Sequence, residues 1–414
     1  MKRLKYGALL LALVLGCTSG EAAPQWAGTV TDSAGVAIVN NTIDELWTDA
    51  SRWTVTEELK IGSAEDEPDY QFVQIAGIAE GSDGRIYVMD QGAQQVRAFT
   101  ADGTFDGAIG GPGGGPGEFG AGAGPVLVAP GDTLLVPDLQ QQRVNRYAPD
   151  GTSLGSYPMI ISDGLPLRWD ATPSGTIVNQ LRPLDLPNQP ASDGMDLIAI
   201  RGLDGTVQDT LMRVPSGKTI SFAGGAPEIT FFTAEPVWAL TPEAGILFGV
   251  NDEYRIGMYS PDGTPTRIIA KPSEPMQVSE DDQAVLLDAM ERLWTEAGLP
   301  PQAIERLRST IKFADNFPAY LQFLGGPQNT VWVQGILAPS SLSAEAQEFF
   351  NPQQDLGSSE FDVFDAEGRY LGLVTMPDRF TPMRFVGDVV YGIWRDELDV
   401  QYVVRLRIGG MPAA

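Results

Sequence analysis

From residue 72 onward the chain reads as short runs of alternating apolar and polar positions, each closed by a turn, and the pattern recurs. Its clearest copy spans residues 72–110: FVQIAGIAEG, SDGRIYVMD, QGAQQVRAFTADG and TFDGAIG. Period-two alternation bounded by Gly, Asp and Ser predicts four short strands joined by tight turns. Residues 124–158 repeat it, and looser copies run over 165–214, 236–270, 317–376 and 383–410. The sixth copy stops one strand short. WTVTEELKIG at 53–62 has the character of a fourth strand and precedes the first full copy. Pairing it with the last copy closes a ring and hides the sheet edges that an open array exposes. The expected fold is all-β: a six-bladed β-propeller over residues 29–411, closed by an N-terminal strand. A further strand, VAIVNN at 36–41, is assigned to the same closing blade.

The local chemistry fits that reading. Asp102, Asp150, Asp204 and Asp262 sit in x-D-G turns between third and fourth strands, and Glu367 takes this place in the fifth copy. Asp90 and Asp138 close second strands, where a carboxylate accepts turn N–H groups. Trp169, Trp238, Trp332 and Trp394 fall on strands and are read as packing between blades. GGPGGGPGEFG at 110–120 has glycine spacings of a phosphate loop. Pro112 and Pro116 interrupt it, a strand follows it, and it lacks the P-loop lysine, so it is read as a crossover between blades.

Long insertions fall at 182–194 and 338–358, between second and third strands, and at 215–232 and 271–316, between blades. Propeller geometry puts both kinds of connection on one face, which the asymmetry marks as the functional face. The largest insertion predicts a helical hairpin over 279–312. Ser279 is a fitting N-cap with Asp282 three residues on, and Leu286, Leu287, Met290, Leu293 and Trp294 share a face. Pro300-Pro301 start a second helix, with Ile304, Leu307 and Ile311 on one side. Two roles remain open for the hairpin: structural packing on blades four and five, or a lid or partner-docking element above the funnel.

Composition narrows the chemistry. The 414 residues hold no histidine, one cysteine, 54 Asp+Glu and 27 Lys+Arg, for a net charge of −27. Imidazole triads, His-ligated metals, Cys-zinc knuckles and intrachain disulfides are excluded. Nucleic acid is not expected as a partner, since it needs a basic footprint. The start, MKRLKYGALLLALVLGCTSG, has a basic n-region and an apolar stretch too short to span a membrane. LVLGC resembles a bacterial lipobox. That implies a signal peptide at 1–16, lipid on Cys17 and a flexible tether over 17–28, leaving the mature chain at 24 − 54 = −30. Thr18, in place of the aspartate that marks inner-membrane retention, implies outer-membrane or surface display.

SDGRIYVMDQGAQQVRAF (82–99) followed by ADGTFDGAIGGPGGGPGEF (101–119) resembles an NHL repeat, and the whole chain resembles six-bladed propeller lipoproteins of environmental bacteria. The resemblance implies a binding platform. Polar residues at the expected starts of innermost strands are candidates to line the central funnel: Gln74, Arg168, Glu235, Asp315, Asn316, Tyr320 and Arg384. The expectation is a monomeric, lipid-anchored, non-enzymatic module without a cofactor. It engages a protein, peptide or glycan on the loop-rich face and touches membrane only through its anchor. The alternative is a lactonase-like, Ca²⁺-dependent hydrolase or lyase working at the funnel.

Overall fold

The computed structural model describes residues 25–412 except 66, 161–163, 173, 184–192, 218–219 and 224–225. The signal peptide, Cys17, most of the tether and the middle of the 182–194 insertion lie outside the described residues. The chain enters through β1 (Thr29–Ser33), β2 (Val36–Asn40) and β3 (Thr54–Ile61). Blade one is β4 (Ile75–Glu80), β5 (Ile86–Asp90), β6 (Gln95–Phe99) and β7 (Phe105–Ile109). Blade two is β8 (Leu127–Ala129), β9 (Thr133–Asp138), β10 (Arg143–Tyr147) and β11 (Ser153–Pro158). Blade three is β12 (Leu165–Ala171), β13 (Ile177–Arg182), β14 (Met195–Arg201) and β15 (Val207–Pro215). After β16 (Ile220–Ala223) and β17 (Ala226–Phe231) comes blade four: β18 (Pro236–Leu240), β19 (Ile246–Val250), β20 (Arg255–Tyr259) and β21 (Pro265–Ala270). Helices α1 (Glu280–Glu296) and α2 (Pro301–Arg308) and strand β22 (Ile311–Phe313) precede blade five. That blade is β23 (Gln322–Gly325), β24 (Val331–Ile336), β25 (Gly357–Phe364) and β26 (Tyr370–Thr375), with α3 (Ala344–Glu348) inserted. Blade six is β27 (Phe380–Val386), β28 (Val389–Arg395) and β29 (Gln401–Gly409), completed by β3.

The four strands of each blade run antiparallel from the inner to the outer edge, in chain order except for β3 on blade six. The first strands line the middle of the ring: β4 touches β8 and β27, β8 touches β12, and β23 touches β18 and β27. Second strands are sandwiched between neighbouring blades, so β5 (IYVMD) is buried along its whole length and reads as a continuous apolar run. Outer strands meet water on one side, and β7 alternates between exposed and part-buried positions. β29 pairs with β3 from Val403↔Ile61 to Gly409↔Thr54 and closes the ring as the sequence predicts. Aromatic rings pack the closed blade against blade five: Trp53 lies 6.2 Å from Trp332, which lies 5.0 Å from Phe385.

The strand at 36–41 departs from its expected place. β2 runs parallel to β21, pairing Ala37↔Arg267 through Asn40↔Ala270, and so extends blade four instead of blade six. From there the chain crosses the outer edge of blade five. Trp47 N–H donates to Leu371 O at 2.8 Å, and the Arg52 guanidinium donates to Leu373 O at 2.8 Å. It then becomes β3. Residues 29–61 thus form a strap over the perimeter of three blades, covering strand edges that are otherwise open to pairing.

The two long blade-to-blade insertions build one accessory layer. β17 pairs antiparallel with β16 and parallel with β22, so segments far apart in the chain share a sheet. Ile311, expected on the face of α2, belongs instead to β22. α1 starts in a capping box: Ser279 Oγ accepts from Asp282 N–H, and the Asp282 carboxylate accepts from Ser279 N–H at 2.9 Å. Leu286, Phe232 and Phe317 form the buried centre of the layer, with Met290, Ile336 and Leu356 against them.

The turns follow their residues. Thr152, Thr206 and Thr264 N–H groups donate to Asp150, Asp204 and Asp262 at 2.9–3.0 Å. In the fifth copy Asp365, not Glu367, accepts the turn N–H groups, while Glu367 pairs with Arg369 at 3.1 Å.

Candidate functional site

In a six-membered ring blade three stands opposite blade six, and both carry the same short sequence on their innermost strand. β12 holds Pro166-Leu167-Arg168 and β27 holds Pro382-Met383-Arg384. In both, the register with the second strand slips between the proline and the arginine. Such a bulge sets two residues against one and re-aims side chains. Here it turns Leu167 with Arg168, and Met383 with Arg384, onto the channel wall.

Arg384 reaches across the ring. Its Nη2 donates to Asp170 Oδ1 at 3.2 Å and to Ala171 O at 3.3 Å, so one ion pair bridges the channel. Arg168 donates from Nη1 to the Trp238 carbonyl, and its guanidinium carbon lies 4.9 Å from the Trp238 ring centroid. It has no carboxylate within ion-pair distance among the described residues. Burial pulls the pKa of Arg168 below its usual value, against the opposing field of Asp170. Two guanidiniums thus face one carboxylate, a local excess of one positive charge in a chain of net charge −27.

This waist divides the channel. Toward the loop-rich face lies a cavity of about 360 Å³ whose walls include Leu139, Met159, Leu167, Trp169 and Met383. On the other side a wider cavity of about 1010 Å³ opens among the short first-to-second-strand turns and the C-terminal Met411 and Pro412. Arg168, Asp170, Met383 and Arg384 border both. The smaller chamber therefore lies on the side of the second-to-third-strand and blade-to-blade connections, with Gly122, Gly124 and Leu139 among its walls. Neither cavity takes a wall residue from α1 or α2, whose buried face packs within the accessory layer.

The other candidates fall elsewhere. Gln74 is exposed at the entry to β4, with its N–H held by Asp90 Oδ1 at 3.0 Å. Glu235 precedes β18, and its N–H donates to Asn251 Oδ1 at 2.7 Å. Asp315 and Asn316 are exposed beside the segment leading into α1: Asp315 O accepts from Val278 N–H at 3.0 Å, and Asn316 forms an isolated bridge with Gln277. Tyr320 is fully buried between blades four and five against Tyr254 and Phe323, and burial pushes its pKa up. It stands in the crossover because β23 begins at Gln322. Of the seven candidates, Arg168 and Arg384 meet in the channel, and Asp170, which joins them, was not singled out by sequence. The recurrent Pro-x-Arg was the available signal.

Asp90 and Asp138 are turn acceptors: Asp90 takes the N–H groups of Val73, Gln74 and Ala93, and Asp138 those of Gly120 and Gln141. The remaining carboxylates of the wide cavity are engaged as well. Glu80 accepts from the Tyr391 hydroxyl, Asp132 from Ser82, and Asp388 from Arg407. A Ca²⁺ site needs several oxygen ligands of negative charge. The waist offers the opposite balance, and no group of three or more Asp, Glu, His or Cys converges among the described residues.

A protein-family model described as a 6-bladed beta-propeller matches residues 67–154, which hold blade one and most of blade two. A putative exported protein from Bacteroides fragilis superposes with a TM-score of 0.51 at 12% identity, over 90% of this chain and 99% of that one. Virginiamycin B lyase from Staphylococcus aureus gives 0.41 at 12% identity, over 86% and 99%. The calcium-binding protein regucalcin from Agrobacterium tumefaciens gives 0.42 at 10% identity, over 86% and 96%. At these identities the likeness is one of fold. No curated protein matches the chain by sequence.

Proposed function

We propose that this propeller is an exported binding module, held to the envelope by lipid on Cys17, that takes its ligand in the central channel. The observation that carries the reading is the bulged Pro-x-Arg pair, which places two arginines from opposite blades at the junction of two cavities. Ligand pockets are concave, largely apolar, and carry a few convergent polar groups. The loop-rich chamber has that make-up. A hydrolytic reading needs a carboxylate free to move protons or to hold a cation. Asp170 is tied to Arg384, and the carboxylates around it already have partners.

The test screens peptides, glycans and organic acids by the emission of Trp169, which lines the chamber, and Trp238, which stacks on Arg168. Ala76, also on the chamber wall, supplies a plug, Ala76→Phe. Ligands that shift the emission of the native chain and not of the plugged chain support the reading. Ligands that bind both chains equally overturn it. Ca²⁺ and EGTA are expected to leave emission and melting temperature unchanged.

A further inference from the structure

Resting on the channel reading, the geometry points to the ligand's class: we propose that the loop-rich chamber binds a small organic monoanion, a carboxylate with an apolar body. Three features of the chamber converge on this.

The first is charge. Arg168 and Arg384 set against Asp170 leave one net positive charge at the floor. A monoanion neutralises it, whereas a dianionic phosphate leaves an uncompensated negative charge beside Asp170. The second is geometry. Arg384 uses Nη2 for protein acceptors and keeps Nε–H and Nη1 as two separate donors, while Arg168 uses Nη1 for the Trp238 carbonyl and keeps its whole Nε–H/Nη2 edge without a protein partner among the described residues. Guanidinium edges of this kind match the two oxygens of a carboxylate. The third is the wall. Each bulge places an apolar residue directly before its arginine, so Leu167 and Met383 stand over the charged floor, joined by Leu139, Met159 and Trp169. A ligand with its head on the arginines therefore has its body against apolar surface. A chamber of about 360 Å³ lies at the lower end of the roughly 300–1,000 Å³ of small-molecule pockets. The ligand is correspondingly small.

A carboxylate of this kind is either a free acid or the C-terminus of a peptide, and the experiment separates them. Isothermal titration and Trp emission compare 4-phenylbutyrate, its amide, phenylphosphonate and N-acetyl-leucine on the whole chain. The acid is expected to bind at least ~10-fold more tightly than its amide, the equivalent of about 1.4 kcal/mol. Phenylphosphonate is expected to bind most weakly of the anions near neutral pH. N-acetyl-leucine binding better than 4-phenylbutyrate identifies a peptide C-terminus as the source; the reverse identifies a free acid. Arg168→Gln should weaken the acid at least ~10-fold and leave the amide unchanged. Because Arg384→Gln strands Asp170, the double variant Asp170→Asn/Arg384→Gln serves as the second probe: it keeps the floor's net positive charge through Arg168 and removes only the Arg384 donors, so it should weaken the acid less than Arg168→Gln does, and an equal or greater loss overturns the charge argument. Acid and amide binding equally, both blocked by Ala76→Phe, overturns the anion inference and leaves the channel reading standing. An acid whose binding survives the plug overturns both.

Discussion

Asn41 is the pin that fixes the strap to blades four and five, and replacing it by alanine measures what the strap contributes. The residue is 5% exposed. Its Nδ2 donates to Gly368 O at 3.0 Å and Ala270 O at 3.2 Å, and its Oδ1 accepts from Tyr370 N–H at 2.7 Å and Trp26 Nε1 at 2.9 Å. Alanine leaves the backbone bond from Asn41 N–H to Ala270 O at 2.8 Å in place. It removes the acceptor of the Tyr370 N–H and the donor to Gly368 O. Tyr370 is 2% exposed, so its N–H has little access to replacement water. A buried group left without a partner costs about 1–3 kcal/mol, and two such groups give an expected loss of about 2–4 kcal/mol once partial hydration at the perimeter is allowed for. Trp26 is only part-buried and turns to solvent, adding little. The assay is urea unfolding followed by tryptophan emission, read as a shift in midpoint at constant slope. Asn41→Asp is the companion variant. It keeps the acceptor for Tyr370 but turns a carboxylate toward two carbonyls, so it should unfold at least as early as alanine at neutral pH and recover in part on acidification. A loss below about 1 kcal/mol for Asn41→Ala, the net worth of one ordinary hydrogen bond, refutes the idea that this side chain joins the blades.

Other expectations follow from the cap of α1 and from the N-terminus. Burial raises the cost of ionising Asp282, but hydrogen bonds from Ser279 and Ser340 outweigh it and hold the carboxyl below its ordinary value of 3.8. A depressed folded-state value means the ionised form stabilises the fold above the unfolded value and loses that effect as pH falls through the folded one. The stability gap between the native chain and Asp282→Asn should therefore be flat near neutrality and narrow below 3.8, as urea melts across pH will read. A gap that widens on acidification refutes the assignment. Cys17→Ala should release the chain from membranes into the soluble fraction, and unchanged fractionation sinks the lipid anchor.

The blades were legible because their information is local. Alternation with period two and an x-D-G turn are written within a few residues, and each blade is a meander of such pieces. The strap was not, because the pairing of β2 with β21 joins positions some 230 residues apart, Ala37↔Arg267 among them. Nothing in VAIVNN distinguishes one blade edge from another. The channel was half legible for a related reason. Arg168 and Arg384 stand within innermost strands; the repeat locates the start of β12 at Leu165, whereas β27 begins at Phe380, three residues ahead of the copy that starts at Met383. β23 starts five residues later than the repeat beginning at Phe317 implies, and that offset moved Tyr320 from the wall to the core and placed Asp315 and Asn316 beside the accessory layer. Asp170 looks in sequence like any other polar residue on a strand, and only the opposition of blades three and six reveals its partner.

The perimeter strap also sets the load path of the molecule. β1 and β2 are the outermost strands of the six-stranded sheet of blade four, so a pull transmitted from residues ahead of Gln25 enters at the rim. β1 is exposed along its whole length and peels first, one edge bond at a time. The next residues that peeling meets are Val39 and Asn41, both buried. The strain is spent in the circumference, far from the ion pair that spans the axis.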